Sequence, residues 1–160
     1  MLTSRLVHLI ESHAKSLTTG VMQDIMSNKH TTSFRAVPIA DLELRIATLY
    51  QNLGKWLGNP KEDGIQKEYE EWGSRPFHRG IPLSEIVYSL ILIKAHLRRF
   101  IREHGLVGTS ADQVTPDELV PVELYAIQEL NYMVGEFFDR ALYHLTRGYE
   151  AAAKTSRAAA

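Results

Sequence analysis

The last third of the chain reads as one very long helix. It opens at Thr115-Pro116-Asp117-Glu118, a Ser/Thr-x-x-Glu capping box with proline at the first helical position. Val120, Leu124, Ile127, Asn131, Val134, Phe138, Ala141, Leu145, Gly148 and Ala152 follow at alternating spacings of four and three, one stripe of a helix surface. Residues 116 to 156 would span roughly 60 Å at the helical rise. A bundle helix such as residues 4 to 28 would span only about 37 Å. The final helix is therefore expected to overhang the body by roughly 20 Å. An overhang ending in Ala-rich sequence suits a domain that passes a signal onward or pairs with a copy of itself. It points to a signalling or interaction module and away from an enzyme.

Four further helices precede it. The first runs from Thr3 or Ser4 to Ser27, with Leu6, Ile10, Ala14, Leu17, Val21 and Ile25 on one face and Gly20 weakening its middle. Residues 28 to 38 form a polar connection. The second helix covers Ile39 to Leu57 and buries Leu42, Ile46, Leu49, Leu53 and Trp56, until Gly58-Asn59-Pro60 stops it. Asn59 and Glu62 form a capping box for the third helix, whose inner face is Ile65, Tyr69 and Trp72. Gly73 and Pro76 disturb that helix, and Gly80-Ile81-Pro82 ends it. The fourth helix runs from Pro82 to His104 with Leu83, Ile86, Leu90, Ile93, Leu97 and Ile101 on one side. Val87, Ile91, Leu92 and Phe100 broaden its apolar surface, which predicts a central helix touched from several sides. Gly105 caps it, and a loop fills residues 106 to 114. No stretch alternates like a strand and no segment repeats, so the fold class is all-α: a four- to five-helix bundle with a long C-terminal helix.

Bulk composition narrows the class of function. With 44% hydrophobic and 23% charged residues, the chain is globular and long enough to bury a core. Eighteen basic against nineteen acidic residues leave a net charge of -1, which argues against nucleic-acid binding across the whole surface. The absence of cysteine removes disulfides, thiolate metal sites and cysteine nucleophiles, and fits a cytoplasmic protein. Residues 1 to 12 lack the pattern of a secretory signal, and the longest apolar stretch, near Ile86 to Ile93, is far too short to cross a membrane.

Chemistry-bearing motifs are sparse. His8 and His13 are five apart and do not share a helix face, whereas His96 and His104 are eight apart on one side of the fourth helix. No HExxH motif and no paired Glu-x-x-His set occurs, so a zinc-protease or di-iron site is not predicted. A haem needs only one histidine in an apolar pocket, and His96 and His104 are the best placed for that. Lys94, Arg98, Arg99 and Arg102 cluster at the end of the fourth helix, where cations offset the helix dipole or receive an anion. Asp112, Asp117, Glu118 and Glu123 are placed to face them. Glu68, Glu70 and Glu71 share a solvated helix face with Lys61 and Lys67, and no phosphate loop, GxSxG or dinucleotide fingerprint appears. Catalytic residues are therefore not assigned. The ligand-binding candidates are His96, Arg99 and His104. Asn131 is a polar residue in an otherwise apolar seam, a position that either sets register or partner state or bonds a core carbonyl.

Three passages carry a family resemblance: Leu6-Val7-His8-Leu9-Ile10-Glu11, Leu53 to Leu57 with Trp56, and Trp72-Gly73-Ser74-Arg75 through Arg79-Gly80-Ile81-Pro82-Leu83-Ser84-Glu85-Ile86. Over residues 5 to 150 the chain resembles the N-terminal helical domain of the RsbT co-antagonist signalling proteins, a domain type also found ahead of bacterial histidine kinases. The resemblance implies a cytoplasmic, dimeric, all-helical sensor domain whose C-terminal helix leads to an output domain, and it supplies no catalytic residues. These 160 residues contain no kinase, STAS or DNA-binding module, so the chain is expected to be a fragment of a longer protein or a stand-alone relative.

The expected organisation is a sensor-type bundle over residues 1–145 and a helical extension over 146–160. The expected function is non-catalytic: a regulatory input domain of bacterial signal transduction, as in two-component systems. It would be a homodimer through the C-terminal helix, with a second apolar row (Ala126, Leu130, Met133, Phe137, Ala141) and Tyr125, Tyr132 and Tyr143 facing the second copy. A downstream signalling partner is expected, with no nucleic acid and no membrane. The alternative is a small-molecule or haem-binding bundle with its pocket between the fourth and fifth helices.

Overall fold

A computed structural model describes residues 2–58, 61–105 and 120–160. Among these, seven α-helices and a 3-10 turn account for the regular structure and no strand occurs: α1 (Leu2–Ser12), α2 (Ala14–Ser27), the 3-10 turn (Thr32–Ala36), α3 (Ala40–Gln51), α4 (Leu53–Leu57), α5 (Glu62–His78), α6 (Leu83–His104) and α7 (Val120–Ala159). The all-α class and the long C-terminal helix are as the periodicity predicts. No helix among the described residues is long and apolar enough to cross a membrane.

Two predicted helices are each split by a single polar residue. At His13 the ring Nδ1 lies 2.8 Å from the Leu9 carbonyl, and Ser12 Oγ donates to the same carbonyl at 2.8 Å. These side chains compete with the backbone ladder and break α1 from α2. The apolar stripe nevertheless continues across the break, and Leu6, Ile10, Ala14, Leu17, Val21 and Ile25 are all buried. Asn52 plays the same part between α3 and α4, donating from Nδ2 to the Thr48 carbonyl at 2.9 Å. Glu11 then caps α4 from α1, its Oε1 accepting the Gly54 N–H at 2.8 Å.

The 28–38 connection is more than a polar link. Phe34 and Thr31 are buried, Thr31 Oγ1 donates to the Ile25 carbonyl at 2.6 Å, and Glu85 of α6 accepts the Ser33 N–H at 2.9 Å. Polar composition concealed these anchors.

Helix α5 corrects two expectations. Gly73 and Pro76 lie inside a continuous helix, and Pro76 falls in its last turn, where one lost backbone bond is tolerated. The Glu62 carboxylate does not reach back to cap its own helix; it accepts hydrogen bonds from Arg140 and His144 of α7. The predicted partner in that cap, Asn59, lies outside the described residues. At the other end Gly80 has φ +74, donates to Phe77 O at 3.0 Å, and passes the chain to Ile81, which donates to Pro76 O at 3.1 Å. This is a Schellman closure, and its left-handed residue requires glycine.

Helix α6 is central as predicted, packing against α1, α2, α5 and α7. Its core stripe of Ile86, Leu90, Ile93, Leu97 and Ile101 is buried, and buried Tyr50 of α3 donates to the Ile93 carbonyl at 2.7 Å. Burial drives the Tyr50 phenol well above its ordinary range. Ile91, expected to widen the apolar face, is half exposed. Gly105 ends α6 in right-handed geometry, so its value lies in space: a Cβ there would come within 2.8 Å of Ile127 Cδ1.

The capping box at residues 115–118 and the 106–114 loop lie outside the described residues. Pro121 sits in the first described turn of α7. Both predicted apolar rows of α7 pack within the chain: Leu130, Val134, Phe137, Phe138, Ala141 and Leu145 are buried, and Ile127 and Met133 partly so. Leu124 departs from its stripe and is 52% exposed. Packing continues to Ala152, and every residue from 154 onward is exposed. The helical stretch free of the bundle is thus about 9 Å, shorter than the helix-length comparison predicts.

Candidate functional site

The predicted region between the fourth and fifth helices corresponds to a groove between α6 and α7. Core residues occupy one side of α6, which places Ala95, Arg98, Arg99 and Arg102 on the side that faces the start of α7. Leu124, Ile127 and Asn131 of α7 form the opposite wall. The groove measures about 1100 Å³, counting its open mouth. Asn131 Oδ1 is buried there without a hydrogen-bond partner among the described residues. The cationic wall suits an anionic group, and the unpaired amide oxygen of Asn131, an acceptor, suits a hydrogen-bond donor. Of the residues expected to face the arginines, Asp112, Asp117 and Glu118 lie outside the described residues.

The three predicted ligand-binding residues do not converge. Arg99 lines the groove, whereas His96 and His104 do not. His96 turns toward α2, its Nε2 donating to Asp24 Oδ2 at 3.0 Å. Gly20 lies beside this ring: a Cβ at that position would sit 3.4 Å from His96 Nδ1. The glycine that weakens α2 therefore opens space for the histidine. The Asp24 carboxyl is held below its ordinary range, first by the His96 hydrogen bond, then by Asn28 and by the charges of His96 and Arg99, against the opposing effect of burial. His104 stacks on Phe100 at 4.2 Å between ring centroids, and its Nδ1 lies 3.1 Å from the Phe100 carbonyl. His13 joins that aromatic group, 5.4 Å from Phe100 and 6.5 Å from His104. No group of three or more potential metal ligands occurs among the described residues.

The closest contact between elements is the side-by-side packing of α5 and α7, which run in the same direction. Gly73 of α5 and Gly148 of α7 face the other helix directly. A Cβ on Gly73 would lie 1.9 Å from the Leu145 carbonyl oxygen, and one on Gly148 would lie 2.0 Å from the Glu70 carbonyl oxygen. The backbones touch because neither residue has a side chain to hold them apart. Above the crossing, His144 is 8% exposed and its Nε2 donates to Glu62 Oε1 at 2.7 Å, while Arg140 pairs with Glu62 Oε2. These hydrogen bonds, His144 first and Arg140 second, hold the Glu62 carboxyl below its ordinary range. Below the crossing, Tyr149 donates to the Ile81 carbonyl at 3.0 Å and stacks edge-on against Phe77 at 5.2 Å. Sequence reasoning placed Gly148 in the buried stripe but missed its partner Gly73, the His144–Glu62 pair and Asp24. The available signal was a glycine held at a core position of a helix that is otherwise free of turns.

The outer face of α7 carries Tyr125, Tyr132 and Tyr143, seven and eleven residues apart and therefore aligned on one line. Each is more than 60% exposed, and Tyr132 donates to Glu136 at 3.1 Å on the same line. With both apolar rows used inside the chain, this tyrosine line is what α7 presents outward.

No family model matches the chain, and neither a curated protein nor a solved structure matches it.

Proposed function

We propose that this chain is a non-catalytic regulatory input domain of bacterial signal transduction, passing the state of its bundle outward through α7. The carrying observation is the Gly73–Gly148 crossing. At the crossing itself the backbones meet with no side chain between them, which favours α5 and α7 moving together. The interface of α7 with α6 is different: it holds an open groove, arginines and an unsatisfied amide. A ligand or partner that prefers one setting of this looser interface would shift the α5–α7 pair against α6. The exposed end of α7 would carry that shift to a downstream domain or protein. The resemblance to the RsbT co-antagonist domain supports the same reading, together with a cytoplasmic location.

Dimerisation through α7 belongs to this proposal, with the tyrosine line as the contact. A two-fold pairing along it would set two C-terminal ends side by side. Light scattering at micromolar concentration should give a dimer mass, and Tyr132→Arg with Tyr143→Arg should give a monomer. A monomer mass for the unaltered chain removes this part. The signalling part is tested by fusing residue 160 in helical phase to a histidine kinase catalytic core. Kinase output should then depend on the domain and shift with Gly148→Ala; an output indifferent to both removes the reading. The second reading, a small-molecule carrier, draws on the α6–α7 groove, whose arginines favour an anionic guest. A haem guest would not find His96 or His104 on the groove walls.

A further inference from the structure

Two exposed stripes, one on α7 and one on α6, carry opposite charge. On α7, Tyr125, Glu129, Tyr132, Glu136, Asp139 and Tyr143 follow at spacings of four and three, so the tyrosine line and three carboxylates share one stripe. All of them are exposed, and α7 has no lysine or arginine before Arg140. On α6, Ile91, Ala95, Arg98 and Arg102 follow at the same spacings and are exposed too. Arg99 stands beside them, while the acid Glu103 lies a step further round the helix. Helix dipoles do not account for this pattern, because they act within the first and last turn. Glu129 to Asp139 lie deep inside α7, and Arg98 lies well short of the end of α6 at His104.

The stripes also lie at one height. Helices α6 and α7 run antiparallel. Tyr149 donates to the Ile81 carbonyl at 3.0 Å just before α6 begins, and a Cβ on Gly105 just past its end would lie 2.8 Å from Ile127 Cδ1. The span from Ile81 to Gly105 therefore runs beside the span from Tyr149 back to Ile127, two nearly equal lengths at the same helical rise. Arg102 is level with Glu129, Arg98 lies between the levels of Tyr132 and Glu136, and Ile91 lies between those of Asp139 and Tyr143. A two-fold axis parallel to α7 keeps every residue at its own height in both copies. Pairing α7 with α7 along the tyrosine line would then set Glu129, Glu136 and Asp139 each against its own equivalent, like charge on like. Pairing α7 with α6 of the second copy sets the same carboxylates level with arginines.

We propose that the homodimer pairs the tyrosine–carboxylate stripe of α7 with the arginine stripe of α6 in the second copy, Glu129 meeting Arg102 and Glu136 meeting Arg98. Tyr132 then comes beside Arg98, where ring and guanidinium attract. Tyr143 covers Ile91, which is 49% exposed in the single chain. The contact is reciprocal and forms twice across the axis, with both C-terminal ends pointing the same way. It rests on the dimer part of the regulatory reading and names the surface that α7 meets. Arg98 and Arg102 also line the α6–α7 groove, so the second copy grips the joint whose setting that reading invokes.

The test is charge reversal, read as the dimer dissociation constant of the full chain by sedimentation equilibrium. Arg98→Glu with Arg102→Glu should weaken the dimer at least about tenfold, and so should Glu129→Arg with Glu136→Arg. An equimolar mixture of the two variants should recover nearly the unaltered affinity, because each reversed arginine then meets a reversed glutamate at both contacts. All four positions are exposed, and circular dichroism checks that each variant keeps its helix. The neutral set, Arg98→Gln with Arg102→Gln, gives a milder second measurement and should weaken the dimer several-fold. A dimer built from α7 on α7 would be indifferent to both arginine variants. If the unaltered chain dimerises and the arginine variants dimerise equally well, this pairing is overturned while the dimer reading stands. A mixture of folded variants no tighter than either alone overturns it too. A monomer mass for the unaltered chain removes the dimer reading and the pairing together.

Discussion

Helices α5 and α7 each contain two glycines, and the two pairs do opposite things. Gly73 and Gly148 sit where the helices cross, and a methyl group on either would meet the partner's backbone at 1.9 or 2.0 Å. Gly64 and Gly135 face open space, with nothing within 4 Å of an added Cβ. A glycine in a helix interior costs about 1 kcal/mol relative to alanine wherever it falls. At the crossing that cost is offset by a contact no other residue permits. At Gly64 and Gly135 the described residues show no such return. Helix propensity is thus the same at all four positions, and the neighbouring element alone decides whether the glycine serves the fold.

Core truncation sets the largest scale against which the crossing can be judged. Phe138→Ala or Leu90→Ala should destabilise the protein by about 2–5 kcal/mol through lost burial and the cavity left behind. Both are buried at 3% exposure, so an unchanged denaturant midpoint in either variant would mean that the helix register is misassigned. Next come Gly73→Ala and Gly148→Ala, each expected at or above the upper end of the roughly 1–3 kcal/mol typical of overpacking, because the obstacle is backbone and cannot rotate away. The double variant should cost less than the sum, since the first substitution already parts the helices. Additive losses in the same denaturant titration would show that the two glycines do not share one contact.

The Glu62 link above the crossing gives a smaller, pH-dependent effect. Its folded value lies below the ordinary 4.5 because His144 and Arg140 hydrogen-bond the carboxylate. A depressed carboxyl stabilises the fold above its unfolded value, and the contribution disappears as pH falls through the folded value. Stability should therefore decline as the solution is taken below about pH 4.5, and Glu62→Gln should flatten part of that decline. The carboxylate is 54% exposed, so the effect at neutral pH should be slight. Unfolding midpoints measured across the acid range compare the two proteins; parallel curves would rule the link out. The smallest expected change has the opposite sign. Gly135→Ala should stabilise by about 0.5–1 kcal/mol through helix propensity alone. Destabilisation there would indicate that a second copy or a partner packs against that part of α7, and would sharpen the dimer proposal.

Much of the fold was legible because burial in a helical protein follows a period of 3.6 residues, and that period is written in residue order. The inner faces of the first three predicted helices, the central stripe of α6 and the two rows of α7 needed no coordinates. Ruptures of that period were less legible. His13 and Asn52 break helices through side-chain bonds to backbone carbonyls, while Gly73 and Pro76, the usual breakers, interrupt nothing. The candidate site was legible only in part: Arg99 lines the predicted α6–α7 groove, but His96 belongs to Asp24 and His104 to Phe100. Their shared helix face does not imply a shared pocket, because they lie two turns apart and meet different neighbours.

Sequence alone therefore determined the helical class, the stripes that enter the core and the presence of a long final helix, all of them properties of local periodicity. Tertiary structure decided which glycines are contacts and which carboxylate answers which cation. Those outcomes depend on which faces meet at helix crossings, and a crossing is set by the packing of whole surfaces rather than by any one segment.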